Sequence, residues 1–311
     1  MKAPTPSSLL VFFICLTLSS CIEFEHQEIV YKHDSKKDEL RLLIRYEGIF
    51  GNLDKSQNSQ KGPNDTATKE TLNQKQIEQL ESVINEKRAF FFTNWIFEYS
   101  PKTLPQFLEE IIKRNDNGRF GKPEQDLIKA LIENIELQNV GFYKNDQGQL
   151  CGAQTLRIQN FSQVLKLSNR VIRRQTIAHI PQLREELANG KVRKPISEEN
   201  IQFLIKKMKV PYPFIQIDGN LLSFQFPNLY PDTESIKQSM SNKLPKGTRI
   251  LQKDRNMIIA MGTKDGASGK ISKKCFDGYW PNAMNYLKEK HKQLVLQPKQ
   301  IDKRLQKFLT K

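Results

Sequence analysis

Three stretches of alternating apolar and polar residues, each broken by a turn signal, constrain this chain more than any other feature. In the first, Leu40, Leu42, Ile44 and Tyr46 alternate with Glu39, Arg41, Arg45 and Glu47, after residues 22–33 and the polar turn 34–38. Successive side chains of a strand point to opposite faces, so a period of two predicts a strand with one face buried. Leu43 interrupts the polar face and predicts a partial cover there too. The second stretch pairs residues 136–144 with 149–159 over the turn 145–148, and carries Val140, Phe142, Leu150, Leu156 and Ile158. The third, 214–226, turns at Asp218-Gly219, a strong short-range hairpin signal. Shorter strands are expected at 249–253 and 257–262, with 254–256 turning between them.

Helical periodicity fills the intervals. Residues 69–88 step through Leu72, Ile77, Leu80 and Ile84, with Thr68 or Thr71 as cap. Further helices are expected at 103–114, 123–135, 161–188 and from Ser197 to about 209, with shorter ones at 233–242, 283–292 and 301–308. Asn160 is the expected cap of the 161–188 helix, and Pro181 is expected to end or kink it near Ile180. Hairpins interleaved with about five helices predict an α+β fold with antiparallel sheet rather than a doubly wound parallel one. Residues 51–68 hold almost no apolar side chain and read as an exposed loop. The aromatic run 89–99 suits a buried strand, and as an exposed surface it would stack on sugars or bases. The core reading is favoured because the other apolar runs need a partner face.

The first twenty residues follow a different logic. Lys2 supplies a positive start, Leu9–Leu18 an apolar core and Ser19-Ser20 two small residues before Cys21. That is the pattern of a secretory leader, and the core is too short to span a bilayer. Leu18-Ser19-Ser20-Cys21 resembles the lipobox of bacterial lipoproteins at all four positions. The resemblance implies a cleaved signal peptide over 1–20, a diacylglycerol thioether on Cys21 and an acylated new amino terminus. A thiolate is suited to that alkylation, and two or three acyl chains anchor where one would not. Residue 22 is Ile and not Asp, which by the same resemblance points to the outer rather than the inner membrane of a diderm cell. The likeness covers only this leader. It gives an exported, membrane-anchored address and no function.

The expected organisation is therefore a leader, a body over 21–262 and a basic segment over 263–311 packed on that body. The formal charge is +15, and residues 264–311 alone hold twelve Lys and Arg against four acidic residues. Outside the cytosol, such a balance favours anionic lipid, lipopolysaccharide or wall polymer over nucleic acid as a neighbour. Arg170, Arg173 and Arg174 on one helix, with Lys270, Lys273 and Lys274 in 264–274, which reads as a glycine-rich basic loop, are candidate anion contacts. The end of the chain, 301–308, reads as a basic amphipathic helix able to dock on a membrane face, with a solvated tail as the alternative. With Cys15 lost in the leader and Cys21 lipidated, Cys151 and Cys275 are left for a disulfide or for two separate thiols.

Catalytic signals are sparse. His26, His33, His179 and His291 lie in no His-Glu-x-x-His motif, and no cysteines have zinc spacing. Residues 266–270 (GASGK) fail the phosphate-loop pattern at Lys264 and Ile271, and Ser268 lacks the nucleophile-elbow context. No cofactor or metal is indicated. The reading is a non-enzymatic, lipid-anchored envelope protein, binding or structural. The alternative is an envelope hydrolase whose site assembles from residues distant in sequence.

Overall fold

The computed structural model describes residues 22–51, 74–85, 103–114, 121–189, 197–229, 248–262, 267–272 and 283–310. The leader with Cys21, the aromatic run 89–99, the expected helix 233–242, and Lys273, Lys274 and Cys275 lie outside them, as does most of the polar loop 51–68.

The protein is α+β, with two antiparallel sheets and seven α-helices among the described residues. The first hairpin joins β1 (Ile22–Asp34) to β2 (Glu39–Gly51) in register from Ile22↔Gly51 to Asp34↔Glu39. Its turn is tied by Asp34, whose Oδ1 accepts from the amides of Lys36 and Lys37 at 3.1 Å each. The second hairpin is β3 (Ile135–Lys144) and β4 (Leu150–Ile158), with a bulge between Asn139 and Gly141. β4 pairs with β2, and β9 (Ala267–Ser272) pairs with the other edge of β1, giving the five-stranded order β3-β4-β2-β1-β9.

β9 corrects the reading of 264–274 as a simple glycine loop. Ala267, Ser268, Gly269 and Ser272 give no apolar alternation. The free amides and carbonyls of the β1 edge recruit this strand through backbone pairing instead.

The second sheet has the order β5-β6-β8-β7. Its strands are β5 (Ile215–Asp218), β6 (Leu221–Pro227), β7 (Arg249–Lys253) and β8 (Asn256–Met261). The β5–β6 register pairs Asp218 with Leu221, so the two-residue loop is Gly219-Asn220, one position beyond the expected turn. Gly219 takes φ 58° at the first loop position, as a type II′ turn requires. The β7–β8 loop places both Asp254 and Arg255 at positive φ, 49° and 57°.

Helices α1 (Gln74–Asn85), α2 (Thr103–Arg114) and α3 (Lys122–Asn134) precede β3. With α6 (Ala283–Lys290) they bury Leu80, Val83, Leu104, Leu127, Leu131 and Leu287 against Ile44, Tyr46 and Leu156 on one sheet face. The opposite face receives α7 (Pro298–Thr310), whose Ile301 and Leu305 meet Leu43, Val140, Tyr143 and Cys151. The cover anticipated from Leu43 is thus α7.

The long helix α4 (Phe161–Ala188) spans both halves of the molecule. It runs through Pro181 rather than stopping there. Proline has no amide to donate to the Ile177 carbonyl, which lies on an exposed stretch of the helix, Ile177 being 43% exposed. Nor does the Asn160 side chain cap α4, since it donates to Asn134 Oδ1 at 2.7 Å. The cap comes from the first hairpin turn, where Asp38 accepts from Ser162 N at 2.8 Å and Ser162 Oγ at 2.6 Å. Helix α5 (Glu198–Met208) begins as expected at Ser197, whose hydroxyl accepts from Asn200 N. It packs Ile201, Leu204 and Met208 with Ile180, Tyr212 and Phe214 under the second sheet.

The two sheets are joined through specific polar contacts. Tyr31 Oη donates to the Met261 carbonyl at 2.7 Å and accepts from Leu222 N at 3.2 Å. Asn169 of α4 pairs with both backbone groups of Ile215, at 2.7 and 2.9 Å, and so completes the exposed edge of β5.

Candidate functional site

The three arginines of α4 do not form one anion site. Arg173 Nε donates to the Met208 carbonyl at 2.8 Å, at the end of α5. Arg174 Nη1 pairs with Glu124 Oε1 at 2.6 Å. Gln175 donates to that same oxygen, while Glu124 Oε2 caps α3 by accepting from Gly121 N. Arg170 stays exposed. Residues 170, 173 and 174 share one side of α4, but two of the three guanidinium groups are spent on tying the helix to different neighbours, α5 and α3. Lys270 lies in β9, with its backbone opposite Glu28.

Cys151 is a buried free thiol in β4, and burial first of all pushes its pKa up to about 11. A thiol so placed is inert at neutral pH. Its proposed partner Cys275 lies outside the described residues.

The most concentrated chemistry was not legible in the sequence. Glu81 on α1, Tyr286 on α6 and His291, just after α6, meet across about two-thirds of the chain. Glu81 Oε1 faces His291 Nε2 at 2.5 Å and accepts from Tyr286 Oη at 2.8 Å; Oε2 accepts from Asn85 at 2.7 Å. Burial acts to raise the Glu81 pKa, but the bonds from His291, Tyr286 and Asn85 outweigh it and hold the carboxyl below its ordinary value. Burial, with the bond to Glu81, pushes the Tyr286 phenol up to about 12.

The site is held from behind by a buried polar relay. Tyr46 Oη donates to Gln154 Oε1 at 3.2 Å, and Gln154 Nε2 donates to Asn139 Oδ1 at 2.8 Å. Asn139 Nδ2 in turn reaches the Val83 and Ile84 carbonyls, both at 3.3 Å. Those carbonyls lie in the last turn of α1. The bulge at Asn139 aims this side chain at them. On the other side, Leu296 N donates to the Phe142 carbonyl at 3.0 Å, holding residues 292–296 along β3 just after His291. Gly141 permits this approach, because a Cβ there would stand 2.8 Å from the Leu294 carbonyl oxygen. Chemically the trio is a saturated clasp: both Glu81 oxygens are taken, and a carboxylate stabilised in its charged form is a weak proton acceptor.

A second polar assembly surrounds α7. Arg45 Nη2 pairs with Asp302 at 2.8 Å, and Arg304 Nη1 donates to the Val140 carbonyl at 3.1 Å. At the far end Arg41 Nη1 donates to the Phe308 carbonyl at 3.0 Å, and Lys32 Nζ to the Leu309 carbonyl at 3.4 Å. Cations at a helix C-terminus oppose its dipole. Arg41 is itself buried and paired with Glu39, which Arg157 also approaches. The apolar face of α7 is therefore committed to the sheet, Ile301 being 1% and Leu305 0% exposed. The basic amphipathic helix expected over 301–308 is thus present within α7, with its apolar face packed on the sheet rather than left in a solvated tail.

Among the described residues, no group of His, Cys, Asp and Glu is arranged to hold a metal ion, and no helix is long and apolar enough to cross a membrane. No family model, curated protein or solved structure matches the chain.

Proposed function

We propose that this is a lipid-anchored protein of the bacterial cell envelope, attached through Cys21, whose folded body sits against an anionic envelope surface in a binding or structural role. The observation that carries the reading is the lipobox Leu18-Ser19-Ser20-Cys21 followed at once by β1, which begins at Ile22. No polar spacer separates the acylated residue from the sheet, so the body is held close to the bilayer. The formal charge of +15 suits an anionic neighbour. Saturation of Glu81 supports a structural reading of the residues that come nearest to a catalytic set.

The test is Cys21→Ser together with metabolic labelling. The native protein incorporates labelled glycerol and fractionates with membranes, while Cys21→Ser takes up no label and appears in the soluble fraction. A native protein that carries no label, or a variant that keeps its membrane attachment, overturns the reading.

One observation favours the hydrolase alternative, namely the meeting of Glu81, Tyr286 and His291. An activity on an envelope ester or glycan, lost in His291→Asn with the fold intact, would replace the first reading.

A further inference from the structure

We infer that the outward face of α7 is an electrostatic dock for the phosphate headgroups of an anionic bilayer, resting on the surface without inserting. The inference rests on the reading of Cys21 as the lipid anchor.

Lys299, Lys303 and Lys307 follow one another at four-residue intervals on α7, and all three are exposed. Each interval advances roughly 40° around the helix and ~6 Å along it, so the three ammonium groups form one stripe about 12 Å long. The stripe is centred opposite Ile301 and Leu305. The only carboxylate of α7, Asp302, is taken by Arg45. Among the described residues none of the three lysines has an ion-pair partner.

The clasp by Arg45, Arg304, Arg41 and Lys32 fixes the rotation of α7, so the stripe cannot turn inward. The division of labour between the cations is informative. The arginines, with their forked donors, are spent between helix and sheet: Arg304 donates to the Val140 carbonyl, while Arg45 and Arg41 reach from β2 to Asp302 and the Phe308 carbonyl of α7. Lys299, Lys303 and Lys307, compact charges on flexible stems, are turned to solvent. Flexible point charges suit a fluid layer of headgroups better than a single shaped anion pocket.

The anchor supplies the partner. Asp302 binds Arg45, which stands opposite Glu28 in the β1–β2 ladder. From Glu28 back to Ile22 is a strand of roughly 20 Å. Cys21 therefore enters the bilayer from the same small sheet that carries α7, and a body lying alongside the bilayer sets the stripe within the ~8–10 Å reach of the surface potential. Three lysines at an anionic surface strengthen attachment on the order of 100-fold.

The test uses the mature chain from residue 21 with Cys21→Ser, which contains every described element and carries no acyl chain. It is sedimented with vesicles of pure phosphatidylcholine and with vesicles of equal parts phosphatidylcholine and phosphatidylglycerol. Binding is expected only to the anionic vesicles and is expected to weaken steeply with salt. The triple variant Lys299→Gln, Lys303→Gln, Lys307→Gln should lose on the order of 100-fold in affinity with an unchanged melting temperature. A control triple, Lys129→Gln, Lys206→Gln, Lys209→Gln, removes equal charge from exposed positions elsewhere and should stay within about threefold of the parent.

Equal losses in the two triples would reduce the effect to net charge and overturn the inference. So would unchanged vesicle binding in the first triple, or stripe-dependent binding to an RNA homopolymer without vesicle binding. The assay contains no lipid anchor, so its failure leaves the Cys21 reading standing. Failure of the labelling experiment leaves the vesicle result readable.

Discussion

In the five-stranded sheet, β4 is buried without interruption from Leu150 to Leu156; in the four-stranded sheet, no residue of β6 from Leu221 to Pro227 is fully buried. The first sheet is covered on both faces, by α1, α3 and α6 on one side and by α7 on the other. The second has α5 and part of α4 beneath it, and its outer strand β7 is mostly exposed. Polar groups follow the same division. The first sheet buries the Tyr46–Gln154–Asn139 relay, in which each side chain has a partner, as low-dielectric surroundings demand. The second buries the shorter pair Tyr212–Asn256. Helix α4 belongs to both regions: Arg174 and Gln175 meet Glu124 of α3, while Arg173 and Ile180 meet α5. The residues that close around His291 and the clasp of α7 all sit on the doubly covered sheet, where position is held most firmly. The second sheet is the region expected to open first.

Three measurements test that contrast. The largest effect is expected from Ile44→Ala, at a fully buried position of β2. It should cost about 3 kcal/mol in urea unfolding through lost burial and a cavity. Leu251→Ala, in exposed β7, should stay within ~0.5 kcal/mol. Equal losses would break the comparison.

The next effect concerns two ion pairs of α4, one at its middle and one near its C-terminal end. Glu124→Ala unpairs Arg174 and removes the α3 cap, and should cost about 2 kcal/mol. Arg184→Ala breaks the exposed pair with Glu198 and should cost under ~0.5 kcal/mol.

The smallest effect is on pH dependence. Burial is the leading cause that raises Cys151 to about 11, Tyr143 to about 12 and Tyr286 to about 12 in the first region. In the second, burial raises Tyr212 to about 12. These acids are neutral at pH 7, and the folded state holds their protons more tightly than the unfolded chain does. Their stabilisation is full below the unfolded values and is lost as pH rises toward the folded ones. Cys151→Ala should flatten the loss between pH 9.0 and about 11, as read by thermal melts. Glu81 has the opposite sign: its carboxyl is depressed, so its contribution is present above the ordinary carboxylate value and fades as pH falls through the lower folded one. Glu81→Gln should flatten the acid limb, and an unchanged limb would remove Glu81 from the clasp.

How far each feature could be read from the chain follows from the range of the forces behind it. Alternation in residues 39–47 and 214–226 and the turn residues Asp34 and Gly219 act over two to four positions, so the three hairpins, their faces and the α+β class are written in the sequence. Leu43 even announced a second cover. Ser197 announced its helix for the same local reason.

What covers a face, caps a helix or completes an edge is decided by groups distant along the chain. β9 carries no apolar pattern, and only the open edge of β1 makes it a strand. Asp38 displaces Asn160 as the cap of α4 because the folded hairpin sets it nearer the free amides. Arg173 and Arg174 read as an anion cluster until α3 and α5 supply their acceptors. Glu81 and His291 are ordinary residues until α1 and the strap along β3 meet. The sequence shows that 301–308 is basic and amphipathic but not what its apolar half meets; the sheet supplies that surface, and burial against it leaves the lysines facing outward. Local patterning specified the elements, whereas burial and hydrogen-bond satisfaction among distant residues decided which of their faces are free to act.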